Sequence, residues 1–275
     1  MAFTVSQIVT YPVKSLRAQP VSEARVERRG MVGDRRWMVV SPAGDFLTFR
    51  DVPAMAGVEA EITPEGLRLT ADEEVAEFET PSGAEFEVRI WRSRVLAQDA
   101  GNVAASFLTT ALGRSARLVY MPDAVIRPAD PEYSREGDQV SFADGFPLLL
   151  ASGGSLDALN AQLEEPMDMR RFRPNLVVEG AEPWIEDTWR RIRVGEVVFR
   201  IVKPCERCIM TTRDPDTGER TGAGEPLRSL GKIHRAGSGK IMFGQNMIPE
   251  NEGMIRMFDA VEVLETGPSN LLRMN

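Results

Sequence analysis

The 275-residue sequence has only two cysteines, one histidine and four lysines. Each scarcity excludes something. Two cysteines in a chain this long make no disulfide framework, so a reducing, cytoplasmic location is expected. One histidine (His234) and a single cysteine pair fall short of the four ligands of a closed zinc site or a [2Fe–2S] cluster. Long apolar runs are also missing. The longest aliphatic one, residues 147–151, is far too short to cross a bilayer, so no membrane association is expected. The start of the chain has no basic segment ahead of an apolar one; it reads as a strand and not as a signal peptide. The net charge of −8 argues against nucleic-acid binding by the whole surface. Any anionic ligand must then be met by a local basic pocket. At 43% apolar and 27% charged, the composition is that of a globular protein with one large core or two medium ones.

What is present centres on Lys203-Pro204-Cys205-Glu206-Arg207-Cys208, which holds both cysteines. Apolar, strand-like residues 197–202 lead in, and Asp214-Pro215-Asp216-Thr217-Gly218 follows with strong turn character. The thiols therefore lie where a strand ends and a hairpin begins. A thioredoxin-like pair needs its first cysteine at a helix start. The β-branched Thr211 and Thr212 and the nearby Pro215 and Gly218 point away from a helix. Two readings stay open: two small buried hydrophobes, or one thiolate on a metal whose other ligands arrive with a cofactor. Arg207 and Lys203 would favour thiolate in the second. With so few lysines, Lys14 carries more information than any single arginine, each of which by itself is a solvated surface charge.

The first hundred residues read as short strands with frequent turns, as in a barrel or sandwich. A helix is expected over 102–112 and a loop over 122–138 between two halves. In the second half, Ser152-Gly153-Gly154-Ser155 enters a helix over 156–163. By itself this stretch reads as an N-cap sooner than a phosphate seat. Strands at 188–194 and 197–202 form a hairpin around Gly195-Glu196, and a last strand covers 259–264. The fold class is mainly β with a few helices.

Five separated stretches, in order, carry a resemblance. They are Tyr11-Pro12-Val13-Lys14-Ser15, Gly33-Asp34-Arg35-Arg36-Trp37, Phe46-Leu47-Thr48, Phe172-Arg173-Pro174-Asn175, and Cys205 to Cys208 with the Asp214 to Gly218 turn. Together they resemble the MOSC family. The likeness is to its two-part members of the amidoxime-reducing and YcbX-like kind. It implies an N-terminal β-barrel domain (1–122) followed by a MOSC β-barrel domain (123–275). It also implies a molybdenum cofactor, a pyranopterin dithiolene on an oxo-molybdenum centre, with Cys208 as the protein's sulfur ligand and Cys205 only a neighbour. Lys14, Ser15, Arg35, Ser152, Ser155, Arg173, Asn175 and Arg207 are the implied cofactor contacts. Asn175 suits the polar edge of a pterin, and the arginines suit phosphate.

The activity implied is two-electron reduction of small N-hydroxylated substrates (hydroxylamines, amidoximes, N-hydroxylated bases). The cysteines of a ferredoxin-like cluster are missing, so a separate flavin or iron–sulfur reductase is implied as electron donor. The alternative is a sulfur carrier or cofactor-holding module without turnover, as in molybdenum cofactor sulfurases, where a separate pyridoxal-phosphate domain mobilises the sulfur. No protein acid or base is assigned. Asp214 and Asp216 lie near the thiols in sequence, but their spacing also makes an ordinary turn.

Overall fold

The computed structural model describes residues 2–273. Alternating apolar and polar residues build the first strands: β1 (Phe3–Thr10), β2 (Val13–Lys14), β3 (Gln19–Val21), β4 (Glu23–Glu27), β5 (Gly30–Met31) and β6 (Trp37–Val40). Hairpins follow: β7 (Val58–Ile62), β8 (Gly66–Ala71), β9 (Glu74–Glu79), β10 (Glu85–Ile90) and β11 (Ser93–Asp99). Then come α1 (Gly101–Leu112) and β12 (Arg117–Tyr120). After a long strandless stretch the second half holds β13 (Leu148–Ser152), α2 (Gly153–Asn160), β14 (Leu176–Glu179), β15 (Trp189–Val194) and β16 (Val197–Glu206). It ends with α3 (Leu227–Ile233), β17 (Met242–Pro249), β18 (Gly253–Arg256) and β19 (Ala260–Thr266).

Seven strands close into a barrel in the order β14-β13-β17-β16-β15-β19-β1, because β1 pairs with β14 as well as with β19. Closure leaves no open edge within the ring. Val5, Ile8, Leu176, Ile192, Phe199 and Met247 fill its interior. One of these strands comes from the far end of the chain. The expected division at 122/123 falls in the strandless stretch, but the pairing crosses it. Ile8 sits opposite Leu176 and Phe3 opposite Val261, and β4 pairs with β18. The first half thus seals the barrel of the second.

The rest of the first half forms a five-stranded sheet, β10-β11-β12-β6-β2, and a three-stranded one, β7-β8-β9. They share a core with Trp37, Leu47, Phe49, Leu67 and Leu118. Helix α1 presses Ala104, Leu108 and Leu112 into that core; the apolar spacing fits Leu108 and Leu112, whereas Val103 is left exposed.

The helix expected over 156–163 is in fact α2, three residues earlier at each end. The glycines are its first turn and not its approach. A Cβ on Gly153 would stand 2.2 Å from a carboxylate oxygen of Glu179, and one on Gly154 would stand 2.2 Å from the Ala181 carbonyl. The helix start packs so closely on β14 and the chain after it that only glycine fits. The sequence pattern also does not disclose α3, whose seven residues are too few to establish a period.

Candidate functional site

A cleft of about 160 Å³ opens where the barrel meets the first half. Its wall is assembled from distant pieces of chain. Lys14 ends β2, Ser15 follows it, and Arg35 precedes β6. Arg50 lies beyond β6, Trp91 in the β10–β11 turn, and Asp144 in the strandless stretch. Arg171 and Arg173 come just before β14, while Cys205, Arg207 and Cys208 come from the end of β16. Six cations (Lys14, Arg35, Arg50, Arg171, Arg173, Arg207) face two carboxylates, Asp144 and Glu206. On a chain with a net charge of −8 this is a local reversal of sign.

Two guanidinium groups lie over one ring. Arg35 Cζ is 4.2 Å and Arg173 Cζ 4.1 Å from the Tyr11 centroid. Burial pushes the Tyr11 phenol up to about 12, so it stays a neutral donor, 3.1 Å from the Pro174 carbonyl. Arg35 donates to Asp34 at 2.6 Å and to Asn175 Oδ1 at 3.0 Å. Arg173 donates to the Leu16 carbonyl at 2.9 Å, and burial lowers it to about 10, which leaves it charged at neutral pH. Lys14 Nζ lies 2.5 Å from Asp144 Oδ1. Burial lowers the lysine, with Asp144 opposing; the surrounding wall would raise Asp144, whose side chain still reaches solvent, but Lys14 holds it well below the usual carboxylate range.

Three donors on this wall are unused. Arg50 Nε, Arg171 Nε and Arg173 Nη2 are buried and have no hydrogen-bond partner among the described residues. A buried donor left bare costs about 1–3 kcal/mol. Arg127 and Arg200 have bare Nε–H groups elsewhere, but three such donors gather around this one cleft. The backbone shows the same concentration. Eight non-glycine residues have positive φ among those described, and four of them line the cleft: Ser15 (70°), Arg35 (48°), Trp91 (53°) and Arg173 (54°). Such conformations persist where the surroundings over-determine them, and they gather at functional sites.

Strand β16 continues to Glu206, and a single 3-10 turn, Ile209–Thr212, follows Cys208. The strand-and-turn reading fits, and no α-helix starts at either thiol. Cys208 is exposed to the cleft, and its Sγ lies 3.7 Å from Arg50 Nη2. Cys205 is half-buried, and burial pushes its thiol up, towards the neutral form. Among the described residues no three His, Cys, Asp or Glu side chains come together to hold a metal. Cys208 can offer one sulfur, and a metal bound there must bring its other ligands with it.

Residues 137–262 match the MOSC domain, and residues 2–115 match the MOSC N-terminal beta barrel domain. The chain belongs to the MOSC family. It is 33% identical over 281 residues to human "Mitochondrial amidoxime-reducing component 1", covering 95% of this chain and 83% of that one. It is 36% identical over 228 residues to human "Mitochondrial amidoxime reducing component 2", covering 78% and 68%. A "Molybdenum cofactor sulfurase" of Oryza sativa subsp. japonica is 28% identical over 262 residues, which cover 87% of this chain and 32% of that protein.

Within this MOSC fold, Lys14, Ser15, Arg35, Arg173, Asn175, Arg207 and Cys208 all reach the cleft. Their expected roles need correction in three places. First, Ser152 and Ser155 lie outside it, fully buried. Ser152 Oγ accepts the Ser155 N–H at 3.2 Å, and Ser155 Oγ donates to Glu186 at 2.6 Å; this is a cap and not a phosphate seat. Second, the Asn175 amide is already committed. Its oxygen accepts from Arg35 and from the Leu149 N–H, and its nitrogen donates to the Val9 carbonyl and to Asp34. It braces the wall and has no edge left for a pterin. Third, the cation beside Cys208 is Arg50. Arg207 is fastened to the Phe172 and Phe243 carbonyls, and Lys203 lies over the Tyr133 ring at 4.7 Å. Asp214 and Asp216 form a turn: Asp214 accepts the Asp216 and Thr217 N–H groups, and Asp216 pairs with Arg170. Sequence reasoning missed Arg50, Trp91, Asp144 and Arg171. Two carried a usable signal: Arg171 directly precedes the Phe172-Arg173-Pro174-Asn175 stretch, and Arg50 closely follows Phe46-Leu47-Thr48.

Proposed function

We propose that the cleft holds a molybdenum cofactor, that Cys208 is the protein's ligand to its metal, and that the protein reduces N-hydroxylated compounds with electrons from a separate flavin or iron–sulfur reductase. The observation that carries this reading is the set of three unpartnered guanidinium N–H groups around one exposed thiol. The relatives named as amidoxime-reducing components add to it. The residues present suit the group. Arg171 and Arg173 have free donors for a phosphate, and Lys14, Ser15 and Arg35 stand on the same wall. Bound there, the cofactor supplies the two-electron chemistry at the N–O bond. The chain does the rest. Arg50 Nη2 stands 3.7 Å from the Cys208 sulfur, and the cations offset the cofactor's negative charge. The stacked Tyr11 and braced Asn175 hold the arginines in place before any ligand arrives. Two free thiols suit a reducing, cytoplasmic setting.

A second reading is a sulfur-carrying or cofactor-holding module without turnover. Two observations favour it: the likeness to a molybdenum cofactor sulfurase, and Cys205 lining the same cleft as Cys208.

The deciding experiment is metal analysis after expression in a host that makes the cofactor. Wild type and Cys205→Ala are expected to carry near-stoichiometric molybdenum, and Cys208→Ala to carry almost none. Equal retention by the two variants would falsify the ligand assignment. Turnover of a hydroxylamine with an artificial electron donor then separates reductase from module.

A further inference from the structure

The turn between β10 and β11 carries a large aromatic ring where small residues are the rule. Ile90 pairs with Ser93, so the loop is Trp91 and Arg92, and Trp91 sits at φ 53°. Glycine, asparagine or aspartate usually fill such positions, because a Cβ crowds the backbone there. Burial does not compensate, since Trp91 remains 41% exposed. The ring is nonetheless held firmly. It packs on Phe46 with centroids 4.9 Å apart, and the Arg50 guanidinium lies 5.2 Å over it. Its indole N–H donates to Asp144 Oδ1 at 2.9 Å. Lys14 donates to the same oxygen. Among the described residues Asp144 Oδ2 accepts no hydrogen bond, and the side chain is 71% exposed. A fixed aromatic surface and a free carboxylate oxygen thus stand together in the cleft that Cys208 enters.

We infer that Trp91 and Asp144 form the wall that determines specificity: a planar, delocalised substrate lies along the indole and donates an N–H to Asp144 Oδ2. This rests on the reductase reading and narrows its substrate class. An amidoxime or an N-hydroxylated base has a flat π system and an N–H next to its N–O bond, so it satisfies both features at once. A small alkyl hydroxylamine has no plane to stack. The surrounding cations repel protonated amines and leave neutral planar molecules favoured. Trp91 is a positioning residue whose strained backbone is retained for the face it presents.

The test uses the cofactor-loaded protein with two probes, benzamidoxime and N-methylhydroxylamine, and the variants Trp91→Ala and Trp91→Phe. Calorimetric titration without an electron donor reads binding in the absence of turnover. Benzamidoxime affinity is expected to fall about tenfold in Trp91→Ala and to recover largely in Trp91→Phe, which keeps a ring. With an artificial donor, the kcat/KM ratio of benzamidoxime to N-methylhydroxylamine is expected to fall about as much in Trp91→Ala, mainly through KM. Binding without turnover in wild type would remove the reductase reading and leave the wall standing. No benzamidoxime binding to wild type, or equal losses on both probes, would overturn the wall.

Discussion

Two polar clusters sit close to the barrel, and only one asks for a ligand. The first is the cleft, with its three bare guanidinium donors. The second surrounds His234, the only histidine. There almost every group is answered. His234 meets Asp187 at 2.7 Å and the Met242 carbonyl at 2.9 Å, two acceptors that outweigh burial and favour the charged ring. Gln245 donates to Asp187 at 2.6 Å, and Asn270 donates to Gln245 at 3.0 Å. Trp184 stacks on the imidazole at 3.9 Å. Glu186 is the exception: Oε2 has no partner, and burial pushes the acid up to about 7, so that it keeps its proton into the neutral range. A satisfied buried network needs nothing more, whereas bare donors in the wall of a cleft leave hydrogen-bonding capacity over. Rarity in the sequence did not distinguish the two, since the lone histidine sits in the satisfied network and the scarce thiol Cys208 in the cleft.

The sharpest way to break this comparison is to remove one charge from each cluster. Asp187→Ala strands the His234 imidazolium and the Gln245 amide, and should cost about 3–5 kcal/mol in urea unfolding. Arg173→Met removes one bare donor, but also the hydrogen bond to the Leu16 carbonyl and the stacking on Tyr11. It should cost about 1–3 kcal/mol, less than Asp187→Ala, and lower molybdenum content about tenfold. If Arg173→Met is the less stable variant, the assignment of the two clusters is reversed.

A smaller effect comes from pH. The folded pKa of Glu186 is raised above its unfolded value, so its contribution is fully present below about 4.5 and is lost as pH rises through about 7. The loss is of order 3 kcal/mol. His234 is raised too, with Asp187 outweighing burial, and it adds a loss of the same sign above about 6.5. Urea midpoints should fall across this window, and Glu186→Gln should flatten the part below pH 7. A midpoint that rises with pH there in wild type, and still rises in the variant, would contradict the assignment.

The smallest effect tests the serine pair. Ser152→Ala should lose about 1 kcal/mol as a missing cap and leave the molybdenum content unchanged. A fall in metal would return Ser152 to the cofactor's surroundings.

Much of the fold was legible. Alternation marked β1, a turn signal marked the β7–β8 hairpin, an apolar run marked β16, and the 102–112 spacing marked α1. Local patterns sufficed for these because each depends on a residue's near neighbours, whereas Cys208, Lys14, Arg35 and Arg173 were named through the family resemblance. Asn175 was named for the wrong reason. An amide's partners are decided by what folds against it, here Val9, Asp34 and Leu149 from three separate segments. Trp91 and Asp144 were invisible, because a tryptophan in a turn and an aspartate in a loop mean nothing until the fold brings residues 53 positions apart to 2.9 Å.

The sequence by itself determined the strand-rich character and the acidity against which any anionic ligand needs a local basic pocket. Tertiary structure alone decided that β1 closes a barrel built from the other end of the chain, and that Arg50, not Arg207, faces Cys208. The reason is physical. Strand and helix signals are stored within a few residues, whereas an unsatisfied donor exists only after every other group nearby has chosen its partner.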